Sequence, residues 1–411
     1  GKLKAEQVFD TIGKRDWRDT VKVYKQQSLL PDPTAIANWL CGRPGNTKII
    51  NELEAALLDG FEIHPLNKIK VFTKLESLLK EDPIGLKQEM QVRIIAFQLK
   101  GICAIFSSVF IEAKKRLKYI MDEKFIYTDG TTPFQLSDRL RIIDYDNVDN
   151  VVFFENDLTK QDRQTTHNII DYEMEMYALL GVDEMLLKLW RTTHDNWYAK
   201  GLSVSAIFDG MRLTGQATTA LGNVLTNILV HYEFLKLNYS RMYIWLMLGD
   251  DSLGLFNFEP ELGKLRYNTK VIYNMQSKSK TNKVVGTFCS LIVYKTSHGT
   301  IEIGPDLTRL RMRYEVPNGV HESNNVNVES RKMSYCYLIG KTDGVQLIKE
   351  KYGWDIDFQQ WYDFDAAIKA SAHKYSISEF EANNNYQILI KYMLSDQVYN
   401  KEMLTFGETK M

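Results

Sequence analysis

Met242-Tyr243-Ile244-Trp245-Leu246-Met247-Leu248, then Gly249-Asp250-Asp251, then Ser252-Leu253-Gly254-Leu255-Phe256, is the stretch on which the reading of this chain turns. Two β-prone runs flank a tight polar turn, the pattern of a β-hairpin. Two carboxylates at the tip of a hairpin cost stability unless positive charge sits beside them, and a divalent cation is the usual remedy. A solvated Asp-Asp turn is the plainer alternative. The long apolar lead-in weighs against it, because it stands the turn on a buried strand.

Two further segments bear on the same question. Upstream, a polar stretch from Asp144 to Asn150 gives way to the β-rich run Val151-Val152-Phe153-Phe154-Glu155-Asn156-Asp157. A strand from Val151 to Asn156 would end at Asp157, and active sites are commonly built at strand ends. Asp162 follows five residues later. Its plain alternative is an acid in the first turn of the next helix, favoured by the helix dipole. Between these segments lies Thr214-Gly215-Gln216-Ala217-Thr218-Thr219-Ala220-Leu221-Gly222-Asn223. Gly215 permits an unusual backbone before a helix expected from about Ala217 to Leu235. Thr219 and Asn223 are four apart and share a helix face, where polar groups can bind a ribose or a template backbone. An N-capped helix whose small residues allow close packing is the alternative, and it accounts well for Gly222.

The remainder sets the frame. The chain has 411 residues, a net charge of −1, 44% hydrophobic and 25% charged residues, which excludes a disordered tail or a fibrous protein. With so little net charge, attraction to nucleic acid or acidic lipid must come from local patches. Cys41, Cys103, Cys289 and Cys336 form no C-x-x-C pair, so a disulfide scaffold or zinc ribbon is not expected. No apolar run reaches the length of a membrane span, and no signal peptide leads the chain. The opening Gly1-Lys2-Leu3 suggests a domain cut from something longer. Glu52 to Leu58, Lys74 to Lys80 and residues 165–180 have helical spacing, and residues 91–112 are apolar with basic punctuation. Residues 201–210 read as a loop or short strand, Val285 to Lys295 as a strand, and the chain beyond Gly340 as helical and tyrosine-rich. The fold class is α+β, with a strand core in the middle and helices around it.

The order D-x4-D, then T-G-x3-T-x3-N, then G-D-D resembles palm motifs A, B and C of viral RNA-dependent RNA polymerases. The likeness is to the alphavirus-like group of positive-strand RNA viruses, with its tobamovirus-, bromovirus- and closterovirus-type replicases. Tyr273-Asn274-Met275-Gln276-Ser277-Lys278 looks like motif D, and Phe288-Cys289-Ser290 like motif E. Lys74-Leu75-Glu76 and Val92-Arg93-Ile94-Ile95-Ala96, with Lys100, resemble the fingers segment and motif F. The resemblance covers roughly residues 70–295 and implies a right-hand polymerase with fingers, palm and helical thumb. Residues 1–140 would form an N-terminal extension and fingers. Residues 141–295 would form the palm, an antiparallel sheet plus helices, with part of the fingers inserted between motifs A and B. Residues 296–411 would form the thumb.

The implied reaction is two-metal nucleotidyl transfer on Mg²⁺, with Mn²⁺ as a substitute. Asp157 and Asp250 would hold the metals and Asp251 would assist. Asp162 and Asn223 would recognise the ribose 2′-hydroxyl, with Thr219 supporting Asp162 or the nucleotide. Thr214 and Gly215 would contact substrate, and a flexible Gly215 would let the loop follow translocation. Arg93 and Lys100 would meet triphosphate or template phosphates. Lys278, with Lys280 as its rival, would protonate pyrophosphate. Implied partners are template and product RNA, nucleoside triphosphates, other replicase domains and host factors, at membrane-associated replication complexes in the host cytoplasm. A reverse transcriptase-like palm enzyme and an inactive RNA-binding palm scaffold are the competing readings.

Several features carry plainer explanations. Gly42 to Lys48 lacks the G-x4-G-K-[ST] spacing of a phosphate loop and reads as a turn. The seven histidines show no paired zinc spacing. Cys289 has no recognisable catalytic partner and reads as a small residue at a strand. The run Lys114-Lys115-Arg116 with Lys118 fits either a solvated helix face or an RNA-facing one. Tyrosines 335, 337, 362, 375 and 386 could stack on bases, with core packing the better account for most.

Overall fold

In the computed structural model, Met242–Leu248 and Asp251–Phe256 pair antiparallel with Leu248 opposite Asp251, which leaves Gly249 and Asp250 as the loop. The structure describes residues 5–43, 45–58, 66–74, 93–159, 161–200, 205–314, 325–340, 342–353 and 363–395. They are α+β, as expected. Two compact units are present: one built from Gly1–Lys74, Val92–Asp129 and Phe154–Thr281, the other chiefly from Gly130–Phe153 and Asn282–Met411.

The first unit carries the hairpin in a five-stranded sheet, in the order Phe125–Tyr127, Met242–Leu248, Asp251–Phe256, Val152–Thr159, Gln276–Asn282. Phe125–Tyr127 runs parallel to Met242–Leu248. Below the turn the sheet is aromatic: Phe154 stacks on Phe234 at 4.9 Å and on Trp245 at 5.5 Å between ring centroids. Phe234 belongs to the helix Thr219–Asn238, which is buried along most of its length and packs against Met242–Leu248. Such all-round burial explains why this helix has no clear apolar stripe. A second sheet has the order Arg93–Gln98, Lys68–Lys74, Trp197–Lys200, Ser205–Phe208. Lys68–Lys74 pairs antiparallel with the first of these and parallel with the third.

The structure corrects several boundaries. Lys74 ends a strand paired to Arg93 rather than starting a helix, and the rest of that expected helix lies outside the described residues. Here pairing with a distant strand overrode local spacing. The Val152–Thr159 strand runs past Asp157, which sits near its end but within it. Residues 285–295 are two strands, Val285–Phe288 and Leu291–Lys295, joined at Cys289 and Ser290. Both loop residues have positive φ, 49° and 65°, the form of a type I′ turn, so Cys289 is a turn residue rather than a strand one. The basic run on the helix Lys100–Ile120 is spent on the protein itself. Arg116 donates to the carbonyls of Leu180 (2.9 Å), Tyr24 (3.2 Å) and Gln27 (2.7 Å), and Lys114 pairs with Asp129.

In the second unit, Val285–Phe288, Leu291–Lys295 and Ile301–Pro305 form an antiparallel meander. Helices Leu307–Tyr314, Asn325–Ile339, Thr342–Tyr352, Phe364–Tyr375 and Glu379–Leu394 follow. Tyr335 and Tyr386 are buried in their shared core, with Cys336, Ile339 and Leu389. Tyr362, and the side chain of Tyr337, lie outside the described residues. Asp306 is fully buried and accepts from Lys374 Nζ (2.5 Å), Tyr375 Oη (2.6 Å) and the Arg309 amide (3.1 Å). Removing one member of a buried pair strands the other charge. We expect Asp306→Ala to lower stability by about 3–5 kcal/mol, measured by urea unfolding, whereas a loss under about 1 kcal/mol would make the pair a surface-like one.

Candidate active site

The Gly249-Asp250 loop has the form of a type II′ turn. Gly249 sits at φ +60°, and an added Cβ would meet nothing within 4 Å, so backbone conformation alone asks for glycine there. Asp250 is exposed at the tip as a residue, while protein atoms crowd its carboxyl. That crowding, then Asp251, then Asp157 and Asp162, push it up to about 6 from an ordinary 3.8, and its own backbone N–H opposes the rise. Desolvation and the like charges act in the same direction. Four carboxylates thus share one electrostatic site.

Asp157 is exposed on its strand, between the buried Asn156 and Leu158. Asp162 lies in the first turn of the short helix Gln161–Gln164, where the plain helix alternative placed it. Its Oδ1 accepts a 2.9 Å hydrogen bond from Asn223 Nδ2. The two residues assigned to sugar recognition are therefore in contact. The Asn223 carbonyl accepts from Gln161 Nε2 at 2.9 Å, which ties the same helix start down a second time.

The loop before the helix is held tightly. Thr219 Oγ1 donates to the Leu213 carbonyl (2.5 Å) and accepts from the Gln216 amide (3.2 Å), so its hydroxyl closes the turn rather than reaching Asp162. The Gly215 amide donates to the Ala96 carbonyl at 2.9 Å, and a Cβ on Gly215 would overlap Phe97. Its φ is not positive. Close approach to the Arg93–Gln98 strand, and not an unusual backbone, is what requires glycine. Thr214 is half-buried beside it. Gln216 Nε2 donates to His194 Nε2 (2.6 Å), and His194 Nδ1 donates to the Trp190 carbonyl (2.8 Å). Burial pushes the His194 imidazole down to about 3, so it serves as a neutral acceptor.

Three features escaped the sequence reading. Arg212 and Glu173 form a fully buried ion pair (2.5 Å), and Tyr177 Oη donates to the same carboxylate (2.5 Å). Gly222 faces this pair, and a Cβ there would overlap both the guanidinium and the carboxylate. Packing, the alternative given for Gly222, is its role. Second, Asn227 Nδ2 donates to the Asp250 carbonyl at 3.0 Å. Third, His231 joins the helix to Asn156, with Nε2 accepting from Asn156 Nδ2 at 2.8 Å. A polar residue every four positions from Thr219 onward was the available signal for the last two.

The basic candidates stand on other elements. Lys278 is exposed on Gln276–Asn282, an edge strand of the five-stranded sheet. Lys280, two residues on, pairs with Glu155 at 3.1 Å. Lys100 is exposed at the start of the helix Lys100–Ile120, and Arg93 opens its strand, its side chain lying outside what the structure describes. Among the described residues, no three His, Cys, Asp or Glu side chains form a ready metal cage. The donor set still fits a hard dication: carboxylate oxygens in an open arrangement, whose mutual repulsion around Asp250 a cation would relieve.

A sequence profile described as RNA dependent RNA polymerase matches residues 6–333. The replicase large subunit of Pepper mild mottle virus (strain Spain) is 24% identical over 254 residues, 61% of this chain and 15% of that protein. RNA-directed RNA polymerase 2a of Tobacco streak virus (strain WC) is 24% identical over 229 residues, 55% of this chain and 28% of that protein. Replicase polyprotein 1ab of Grapevine leafroll-associated virus 3 is 26% identical over 240 residues, 57% of this chain and 8% of that protein. The chain spans less than a third of the length of each of these relatives. The profile match takes in the carboxylate turn, the Asp162–Asn223 pair and the loop that packs on Phe97, and by it the chain belongs to the RNA-dependent RNA polymerase family.

Proposed function

We propose that this chain copies RNA on an RNA template by two-metal nucleotidyl transfer, as the polymerase part of a positive-strand viral replicase. The observation that carries the reading is the shared electrostatic site of Asp250, Asp251, Asp157 and Asp162, with Asn223 bonded to the last. Asp157 and Asp250 would hold Mg²⁺ or Mn²⁺, with Asp251 assisting; bound there, the cations lower the pKa of the primer 3′-hydroxyl and clamp the triphosphate. Asn223 turns the Asp162 carboxylate toward the incoming ribose, whose 2′-hydroxyl can donate to it. Lys278 is the better candidate for donating a proton to the pyrophosphate, because Lys280 already has Glu155. Arg93 and Lys100 would neutralise triphosphate oxygens. In this reading residues 1–140 supply the fingers, 141–295 the palm and 296–411 the thumb.

Sugar selection follows from the pair. Asn223→Ala or Asp162→Ala is expected to relax discrimination against deoxynucleotides by about 10-fold or more, the worth of a hydrogen bond to a charged group. The ratio of kcat/KM for ribo- and deoxyribonucleotides measures it, and an unchanged ratio in both variants refutes the assignment.

The second sheet offers a surface for RNA. Lys68, Lys70, Tyr198 and Lys200 share its outer face with Ile207, around a cavity of about 670 Å³. Lysines meet phosphates there while an exposed tyrosine offers a base a stacking partner. Replacing Lys68, Lys70 and Lys200 together with alanine should reduce the dependence of log K on log salt by about 2, at about 0.7 per phosphate contact on a single strand. An unchanged slope would remove this face from the RNA path. Among the described residues no helix is long and apolar enough to cross a membrane. Placement at membrane-associated complexes in the host cytoplasm would then rest on other replicase domains or host factors.

The deciding experiment is incorporation of labelled ribonucleotides on a homopolymer template with a short primer, in Mg²⁺ and in Mn²⁺. Product from the purified chain that vanishes in Asp250→Asn supports the reading. Product that persists in the variant removes Asp250 from the chemistry.

A further inference from the structure

The helix Thr219–Asn238 carries a polar residue at every fourth position, Thr219, Asn223, Asn227 and His231, although it is otherwise a core helix. Each of the four bonds a different piece of the site. Thr219 closes the loop at Leu213, and Asn223 holds the Asp162 carboxylate. Asn227 donates from one amide nitrogen to the carbonyls of Asp250 (3.0 Å) and Gly249 (3.5 Å). His231 donates from Nδ1 to the Asn227 carbonyl (2.8 Å) and accepts at Nε2 from Asn156, the residue before Asp157 (2.8 Å). Ser252, one residue past Asp251, donates from Oγ to the Asn156 carbonyl (3.4 Å).

The first two rungs are themselves residues already assigned to substrate. The last two have no such role. Asn227 and His231 are both fully buried, and buried polar groups in a core helix cost stability unless their bonds compensate. What they hold is the backbone of Asp250 and the side chain of Asn156, the neighbour of Asp157. A two-residue hairpin loop has few contacts of its own to fix its tilt, and the Asp250 carbonyl is the group by which the helix grips it.

We propose that Asn227 and His231 are positioning residues, which set the separation of Asp250 from Asp157 through the Asp250 carbonyl and the Asn156 side chain. This rests on the metal-binding reading above. The helix thereby keeps the sugar-sensing pair and the metal-binding carboxylates in one register.

The test titrates the full chain with Mn²⁺ alone, followed by electron paramagnetic resonance, so it needs no polymerase activity. Asn227→Leu keeps the size and removes the donor. Asn227→Ser is smaller and cannot overpack, and His231→Phe removes the next rung while keeping a ring. We expect Asn227→Leu to weaken Mn²⁺ binding by about 10-fold, the usual cost of losing an outer-shell partner. Asn227→Ser and His231→Phe should fall between it and the unaltered chain. In primer extension the loss should appear in kcat and in the Mg²⁺ concentration needed, with nucleotide KM and RNA affinity within about three-fold. A purely structural role would lower the thermal midpoint and leave the Mn²⁺ affinity of the folded fraction unchanged, which overturns the proposal. Should the unaltered chain bind no Mn²⁺, the metal reading itself fails and this inference falls with it. An unaltered chain that binds Mn²⁺ and makes RNA, alongside variants that do both equally well, sinks the positioning role alone.

Discussion

Asp250→Asn is expected to abolish nucleotide incorporation, by about 10³-fold or more, equivalent to about 4 kcal/mol of transition-state stabilisation, and at the same time to make the metal-free protein more stable. The second half follows from the crowded carboxylates. A carboxyl held at about 6 against an ordinary 3.8 resists ionisation in the folded state. Its stabilising share is full below about 3.8 and is lost as pH rises through about 6. Asparagine carries no charge at any of these pH values, so the variant should gain at pH 7.5 and not at pH 4. Asp250 is solvent-exposed as a residue, and screening keeps the gain small, about 1–2 °C in the thermal midpoint. Added Mg²⁺ should narrow the difference by stabilising only the unaltered chain. Scanning calorimetry at the two pH values, with and without Mg²⁺, reads all of this. A variant equally inactive but less stable at pH 7.5 would mean that Asp250 is held by favourable contacts and that the repulsive site does not exist.

The other large effect lies one layer deeper. Gly222→Ala should destabilise the first unit by about 3 kcal/mol or more, although alanine is the better helix former by about 1 kcal/mol. The added methyl would overlap the Arg212 guanidinium and the Glu173 carboxylate, both of them fully buried and bonded to each other. Separating them strands two charges where no water reaches. Urea unfolding of Gly222→Ala and of Glu173→Ala should show comparable losses. If Gly222→Ala proves neutral or stabilising, the helix and the ion pair are not packed as described. Arg212 also feels the charge of Asp162, so surviving Gly222→Ala protein should show weakened sugar selection.

What the sequence disclosed about this site is what short spacing can encode. The hairpin and its Gly-Asp loop follow from β-prone runs around a turn dipeptide. Thr219 and Asn223 share a helix face by arithmetic alone. Asp162 read, in its plain alternative, as an acid in the first turn of the next helix; the structure puts it there and adds that Asn223 reaches it. What stayed hidden depends on partners far along the chain. Glu173 and Arg212 are 39 residues apart, and each alone reads as an ordinary charged residue. Gly215 read as a source of backbone freedom because nothing in its neighbourhood announces Phe97. Lys74 read as helical because its strand exists only through pairing with Arg93. Thr219 read as a residue beside the nucleotide because nothing in its neighbourhood announces that its hydroxyl bonds Leu213 and Gln216.

The polar residues of the Thr219–Asn238 helix recur every four positions, while an α-helix turns once in about 3.6. Each step therefore advances about 40° around the axis and about 6 Å along it. Over three steps the direction sweeps about a third of a circle, which is how one straight rod can address a loop, a neighbouring helix, a hairpin tip and a strand in succession. Such an arrangement tolerates side-chain replacement far better than a change of length. One residue inserted between Thr219 and His231 would rotate everything beyond it by about 100° and unhook the lower rungs together. Chains that keep this site should therefore keep the 12-residue interval from Thr219 to His231 free of insertions, however far the rest of their sequence drifts.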